Sequence, residues 1–245
     1  IALDRVKAAS IRFPALEDVS VSLLTALSQS KGWTDTSRAP ILAKLCTFTF
    51  LTRLFLFNND IAVVPDTIGA LTNLKKLVLT GNKIATLPAS IRRLTALETL
   101  SLGDNNLRAV PSSIGSLTAL TTLFLYSNSI AALPNTIGGM TALTTLDLYN
   151  NQLAGLPDAI GQLTGLYNLD LRYNQLTALP ESIGQLTGLE TLKLNTNKLT
   201  ALPESIVALT NLTRLDLDYN PELIRSAQST AVQVWLQACG FHLNH

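Results

Sequence analysis

Histidine and cysteine, the side chains that most often carry nucleophilic catalysis or ligate transition metals, are few and far apart in this sequence. The two histidines are His242 and His245, near the end of the chain, and the two cysteines are Cys46 and Cys239. A nucleophilic cysteine needs a base within hydrogen-bond reach, and a structural zinc site needs several ligands at short spacing. The sequence therefore predicts no Cys–His pair, no metal site and no disulfide between the two cysteines.

Serine, threonine and glycine are abundant, but none stands in a motif that would give it a chemical role. No GxSxG elbow presents a serine nucleophile. Gly138 and Gly139 are not part of a GxxxxGK[ST] or GxGxxG arrangement, whose backbone amides hold phosphate groups. We therefore predict that the chain is not an enzyme and that it binds no cofactor.

The charge balance also excludes whole classes of partner. Eighteen Lys and Arg residues stand against 17 Asp and Glu, which gives a net charge of +1. A nucleic-acid or anionic-membrane binder needs a concentrated basic surface, so we expect neither kind of partner. No stretch reaches the roughly 18 uninterrupted apolar residues of a membrane-spanning helix. A protein partner is the remaining expectation.

Leucine spacing reveals a repeat of 23 residues that organises most of the chain. Counted from Leu51, the unit restarts at Leu74, Leu97, Leu120, Leu143, Leu166, Leu189 and Leu212. Each unit reads LxxLxLxxN, then an apolar residue, LP or VP, xxI and LT. Its ninth residue is always asparagine: Asn59, Asn82, Asn105, Asn128, Asn151, Asn174, Asn197 and Asn220. A period in this range is typical of a solenoid.

The first half of the unit alternates as a short strand with one buried face. Leu54 and Leu56 are expected to point inward. Arg53, Phe55 and Phe57 then point outward. Stacked copies would form a parallel sheet with one strand per repeat, in which each repeat covers the core of its neighbour. The asparagines would form a ladder of hydrogen bonds to backbone groups at the strand ends.

On these motifs the chain resembles leucine-rich repeat proteins over residues 51 to about 223. The form LPxxIGxLTxLxxLxLxxNxL is similar to the plant intracellular Ras-group-related class and to many bacterial and protist repeat proteins. The resemblance implies an α/β fold, a right-handed solenoid with a curved parallel sheet and helical caps. We expect an N-terminal helical cap at 1–50, seven full units and a partial eighth at 51–223, and a C-terminal helical cap at 224–245.

Apolar residues at helical spacing support the two caps. In the N-terminal cap this spacing covers residues 14–30 and a shorter run at 40–46. In the C-terminal cap it covers residues 227–238, with Val232, Trp235 and Leu236 as the expected inner face. We therefore expect helices at these three places.

The outward positions of the strands vary, whereas the inward leucines do not. All five tyrosines lie outside the buried leucine positions, and aromatic and charged residues replace threonine in the middle repeats. Exposed aromatics beside charges are typical of a binding surface, although filling of the sheet by strand-favouring aromatics is the alternative. We therefore predict that a partner binds eight residues of the concave face: Phe124, Tyr126, Asp147, Tyr149, Asp170, Arg172, Tyr173 and Lys193.

Two of these residues are aspartates on adjacent strands. Like charges opposite each other destabilise a sheet unless a cation neutralises them. Arg172, Lys193 or a cationic group of the partner could do so for Asp147 and Asp170.

The favoured function is a non-catalytic scaffold for protein–protein recognition that binds on its concave face. A second hypothesis makes the chain the substrate-recognition domain of a larger signalling enzyme or bacterial effector, such as a kinase, a GTPase or a ubiquitin ligase. A third, a receptor for small ligands or glycans, needs a deep pocket that a smooth concave strip does not favour. The paired cysteines of secreted caps are absent, so we expect a location in the cytoplasm, or in a host cytoplasm for an effector. We also expect a monomer.

Overall fold

The computed structural model describes residues 18–19, 42–225 and 228–241. Most of the segment expected to form the N-terminal cap lies outside the described residues, and its structure there stays a prediction. The expectation of a helix over 14–30 is wrong at Asp18–Val19, which form a short strand beside the first repeat. Without a neighbour, the backbone amides and carbonyls along the outer edge of the first repeat strand would lack partners. A pairing strand supplies these partners, whereas a helix would not.

In the described part of the chain, nine parallel strands form one curved, unclosed sheet in chain order. They are β1 Asp18–Val19, β2 Arg53–Phe55, β3 Lys76–Val78, β4 Thr99–Ser101, β5 Thr122–Phe124, β6 Thr145–Asp147, β7 Asn168–Asp170, β8 Thr191–Lys193 and β9 Arg214–Asp216. From β2 onward each residue pairs with the one 23 positions further along, as Leu146 does with Leu169. The pairing register between neighbouring repeat strands therefore equals the sequence period of 23 residues.

Among residues 42–225, seven short 3-10 helices stack on the return side of the solenoid. They span Asp66–Ala70, Ala89–Arg93, Ser112–Ser116, Asn135–Gly139, Asp158–Gln162, Glu181–Gln185 and Glu204–Ala208. Each follows the proline of its repeat, whose fixed φ leads the chain into the turn, as at Pro157 with φ −70°. The stacking is close: a Cβ on Gly184 would overlap the carbonyl oxygen of Ser205 in the next repeat. This contact explains the glycine of the IG pair.

The core is a stack of leucine and isoleucine layers between the sheet and the 3-10 helices. Leu54 and Leu56 are fully buried, which confirms the predicted inward face of the strand. Burying one such side chain contributes roughly 1.5–3 kcal/mol. Because each layer is covered by the layers on either side of it, the outward side chains rest on a rigid support.

The asparagine ladder is confirmed from Asn82 to Asn220. Asn151 is representative: its Oδ1 accepts the Ile130 N–H at 3.0 Å, and its Nδ2 donates to the Leu125 and Leu148 carbonyls. Asn59 is half-buried, and its side chain donates to Phe57 O of its own repeat. The coil to which Asn59 would bridge lies outside the described residues, so the ladder stays a prediction at this position.

Both ends of the described repeat region are helical. Residues 42–45 form a helical turn inside the expected 40–46 run. After β9 come α1 (Pro221–Arg225) and α2 (Thr230–Ala238). The last helix begins at residue 230 instead of the predicted 227, because Ser229 caps it by accepting the Val232 N–H.

The buried face of α2 is the expected one. It consists of Val232, Trp235 and Leu236. Within the described part of the chain, no helix has both the length and the apolar character needed to cross a membrane.

Candidate functional site

The outward face of strands β5 to β8 brings all eight predicted residues together. The strand register sets four of them side by side on adjacent strands, and we call these the central row: Phe124, Asp147, Asp170 and Lys193. Two residues further along each of the first three strands lies the carboxyl-edge row: Tyr126, Tyr149 and Arg172. Adjacent strands are about 4.8 Å apart, so neighbours within each row are close enough to interact. Tyr173 follows directly after Arg172.

Asp170 is the electrostatic centre of this surface. The residue is 4% exposed, and its carboxylate accepts hydrogen bonds from Arg172 Nη2 at 2.6 Å and Nε at 2.9 Å. Lys193 Nζ lies 3.4 Å from the same carboxylate. The hydrogen bond to Asp170 raises the pKa of Arg172 above its ordinary value. A buried carboxylate is stable when its charge and lone pairs are matched in this way.

Asp147, on the preceding strand β6, forms different contacts. The Tyr149 N–H donates to Asp147 Oδ1 at 2.9 Å. Among the described residues no lysine or arginine forms an ion pair with Asp147. Burial raises the pKa of the Asp147 carboxyl above its ordinary value, and the backbone hydrogen bond opposes this rise. The two cations expected to neutralise the aspartate pair therefore make their ion pairs with Asp170.

Aromatic rings flank the two aspartates. Phe124 and Tyr126 meet edge to face with ring centroids 6.4 Å apart, and Tyr149 and Tyr173 do so at 5.3 Å. The Arg172 guanidinium lies over the Tyr149 ring, 5.1 Å from its centroid. These contacts hold large side chains in place outside the core.

Gly103 is a residue of this site that the sequence reasoning did not single out. A Cβ at this position would overlap the ring of Tyr126, so the tyrosine lies across the preceding repeat. Burial raises the pKa of the Tyr126 hydroxyl, and a hydrogen bond with Thr80 opposes the shift. The signal was available, since Gly103 is the one glycine among the seventh positions of the units.

The eighth position of each unit has a left-handed backbone, which turns the chain off the strand. Asn58, Asp104 and Asn150 have φ values of 52–55° and suit this conformation. Tyr173 has φ 55° and Tyr219 φ 58°, although bulky residues in this region cost on the order of 1–3 kcal/mol. Both side chains are exposed, at 49% and 71%. Core packing does not account for tyrosine at these places.

Two amide oxygens complete the description of the surface. Asn168 Oδ1, on β7, and Asn195 Oδ1, just after β8, are buried and have no hydrogen-bond donor among the described residues. An acceptor that is removed from water without a donor is costly. The outward face therefore has unmet hydrogen-bonding capacity on the acceptor side.

Several solved structures share this architecture. A leucine-rich repeat protein of Leptospira interrogans has a TM-score of 0.70 and 38% identity, over 72% of this chain and 45% of that one. The ectodomain of the Arabidopsis thaliana receptor kinase GASSHO1/SCHENGEN3 has a TM-score of 0.66 and 39% identity, over 71% of this chain and 22% of that one. An internalin of Listeria monocytogenes has a TM-score of 0.63 and 28% identity, over 71% of this chain and 50% of that one. The chain thus spans half or less of the length of each.

Comparison of the sequence with family models agrees with this result. No curated protein matches the chain. The model of the "Leucine-rich repeat region" matches residues 34–169, and a second model, "Leucine rich repeat", matches residues 164–221. The expected solenoid fold is confirmed. Because one family model accounts for more than half of the sequence and the structure repeats the same coil at the same period, the chain belongs to the leucine-rich repeat family.

Proposed function

We propose that this chain is a non-catalytic recognition scaffold that binds a protein partner on the concave face of its sheet. The observation that carries the proposal is the continuous patch of outward aromatic and charged side chains formed by the central row, the carboxyl-edge row and Tyr173. These side chains lie on the rigid core but outside it. Interfaces concentrate their binding energy in such clusters of aromatic residues and arginine.

The backbone at Tyr173 supports the same conclusion. A tyrosine with left-handed φ costs stability, and half of its surface is exposed. Backbone strain at a residue that does not stabilise the core is common at ligand-binding positions, where the surrounding structure maintains it. The fold supports it too, because the Arabidopsis thaliana ectodomain was solved in complex with CASPARIAN STRIP INTEGRITY FACTOR 2.

The proposal includes a protein partner, no nucleic acid or membrane, and a monomeric chain. A cytoplasmic location is consistent with the two cysteines, which are both free, Cys46 buried and Cys239 exposed. Structural disulfides are the mark of oxidising compartments, and reduced cysteines are usual in the cytosol.

A second candidate function is the recognition domain of a larger signalling protein, whether kinase, GTPase or ubiquitin-ligase effector. The observation that favours it is length, since the chain covers 45% of the Leptospira protein and 22% of the plant ectodomain. The plant protein is a membrane receptor kinase, so there this fold is combined with an enzyme. The full gene product distinguishes the two candidates, because a catalytic domain outside these 245 residues supports the second.

A pull-down with the purified chain, followed by mass spectrometry, identifies the partner, and calorimetry then tests where it binds. Tyr149→Ala and Asp147→Ala should each weaken binding by at least about 2 kcal/mol, roughly thirtyfold. The exposed return-side residues Ser112 and Gln162 provide the controls, and their alanine variants should bind normally. Normal affinity in both concave-face variants, with unchanged urea midpoints, would refute the concave-face proposal.

A further inference from the structure

Three units have aspartate in the fifth position of the repeat, and they differ in how the charge is matched. Asp170 is paired with Arg172 and Asp216 with Arg214, in each case an arginine two residues away in the same unit. Around Asp147 the corresponding neighbours are Thr145 and Tyr149. Two of the three aspartates therefore have their own arginine, and Asp147 does not.

The pairing at Asp170 also involves a ring from the preceding repeat. The Arg172 side chain forms three hydrogen bonds with the carboxylate and at the same time lies over the ring of Tyr149. The arrangement thus has three parts: a carboxylate in the central row, a ring in the carboxyl-edge row of the preceding repeat, and a guanidinium that contacts both.

One repeat earlier, two of the three parts are present. Moving each residue back by 23 positions replaces Asp170 by Asp147 and Tyr149 by Tyr126, which are again a central-row carboxylate and a carboxyl-edge ring. The same shift replaces Arg172 by Tyr149, so the guanidinium has no counterpart in this repeat. The earlier repeat therefore provides the carboxylate of Asp147 and the ring of Tyr126 but no guanidinium in the place of Arg172.

We propose that Asp147 is the docking point for an arginine side chain of the protein partner, whose guanidinium pairs with the carboxylate and stacks on Tyr126 and Phe124. This inference rests on the concave-face function proposed above and specifies the partner chemistry at its centre. Pairing with a cation neutralises this half-buried carboxylate, which has no ion pair among the described residues.

Arginine fits this place better than lysine because the place demands a flat group with several donors. A guanidinium stacks on aromatic rings and presents its N–H groups in a plane, whereas an ammonium is a strongly hydrated point charge. A carboxylate favours a ligand group that only donates.

The first test uses the whole chain labelled with ¹⁵N and the peptide acetyl-Gly-Arg-Gly-amide, observed by amide NMR. The Tyr149 N–H is the reporter, because it donates to Asp147 Oδ1 and its shift follows the charge around that carboxylate. We expect a saturable shift with a dissociation constant on the order of 10 mM, as for a single ion pair with stacking. The matched peptide with citrulline, which has the same shape without the charge, should shift the reporter at least tenfold less.

Asp147→Asn and Asp216→Asn are the paired variants for this titration. Asparagine can still accept the Tyr149 N–H, so the first variant keeps the backbone contact while it loses the charge. The arginine-dependent shift should disappear in Asp147→Asn and persist in Asp216→Asn, which alters the same repeat position on β9. An equal shift with citrulline, or a shift that survives Asp147→Asn, would overturn the inference.

A second measurement separates this inference from the proposed function. Calorimetry with the partner should show at least a tenfold loss of affinity for Asp147→Asn and none for Asp216→Asn. If Tyr149→Ala abolishes binding while Asp147→Asn binds normally, the arginine inference fails and the concave face stands. If both Tyr149→Ala and Asp147→Asn bind normally, the concave-face proposal and the arginine inference both fail.

Discussion

Replacing Asn151 with leucine should reveal how much the asparagine ladder contributes to this fold. Asn151 Oδ1 accepts the Ile130 N–H at 3.0 Å, and its Nδ2 donates to Leu125 O at 3.0 Å and Leu148 O at 3.1 Å. Both carbonyls keep a second donor from another asparagine of the ladder. The Ile130 N–H has no other acceptor among the described residues. The substitution therefore leaves one buried donor unpaired and weakens two acceptors.

The magnitude follows from these contacts. An unpaired buried N–H costs about 1–3 kcal/mol, and each lost second bond to a carbonyl costs roughly 0.5 kcal/mol. Leucine has as many side-chain heavy atoms as asparagine, so the substitution leaves no large cavity. We expect Asn151→Leu to lower the free energy of unfolding by about 2–4 kcal/mol.

Urea unfolding followed by circular dichroism measures this change, and the first ladder position provides a matched control. Asn59 occupies the same place in its unit, but it is half-buried, and among the described residues its side chain donates only to Phe57 O of its own repeat. Asn59→Leu should therefore cost under about 1 kcal/mol, and the outward Thr145→Ala under about 0.5 kcal/mol. Equal midpoint shifts for the two asparagine variants, at equal m-values, would refute the ladder as the source of the stability.

Three further predictions concern the outward face and the cysteines. Gly103→Ala should displace the Tyr126 ring, because the added Cβ overlaps it, and should weaken partner binding as much as Tyr126→Ala does; unchanged ring resonances in NMR spectra would contradict this. Because burial raises the pKa of the Asp147 carboxyl, its ionised form destabilises the fold at neutral pH, and this penalty is lost as the pH falls through the raised pKa. Asp147→Asn should accordingly stabilise the fold by about 0.5 kcal/mol more at pH 7 than at pH 3 in urea unfolding, and a gain that is the same at both pH values would argue against a burial penalty on the charged carboxylate. Burial raises the pKa of Cys46 to about 11, so a thiol reagent should modify Cys239 alone in the native protein and reach Cys46 only after unfolding. Two fast-reacting thiols would contradict the burial of Cys46, and a melting temperature that reductant lowers would contradict the free state of both cysteines.

The repeat made much of the candidate site predictable from residue numbers. In a solenoid with one strand per unit, residues 23 positions apart must lie side by side, so the adjacency of Phe124, Asp147, Asp170 and Lys193 follows directly from their spacing. The alternation within each strand likewise separates the outward positions from the buried leucines.

The ends of the chain were less predictable, because the period stops there. Asp18–Val19 form a strand within a stretch whose apolar spacing indicated a helix. Local spacing reports the propensity of a segment, whereas the free edge of β2 offers backbone partners that only the assembled sheet brings near.

By itself the sequence determined the architecture, the register and the list of outward residues, because one strict period dictates where each Cα lies. The tertiary structure decided how the side chains at those places interact. It set Arg172 and Lys193 on Asp170 and left Asp147 without an ion pair among the described residues, laid Tyr126 across Gly103, and held Tyr173 in a left-handed backbone. Such choices depend on rotamers and on competition between nearby acceptors that differ by only a few kcal/mol, and these differences arise only once neighbouring repeats are packed together.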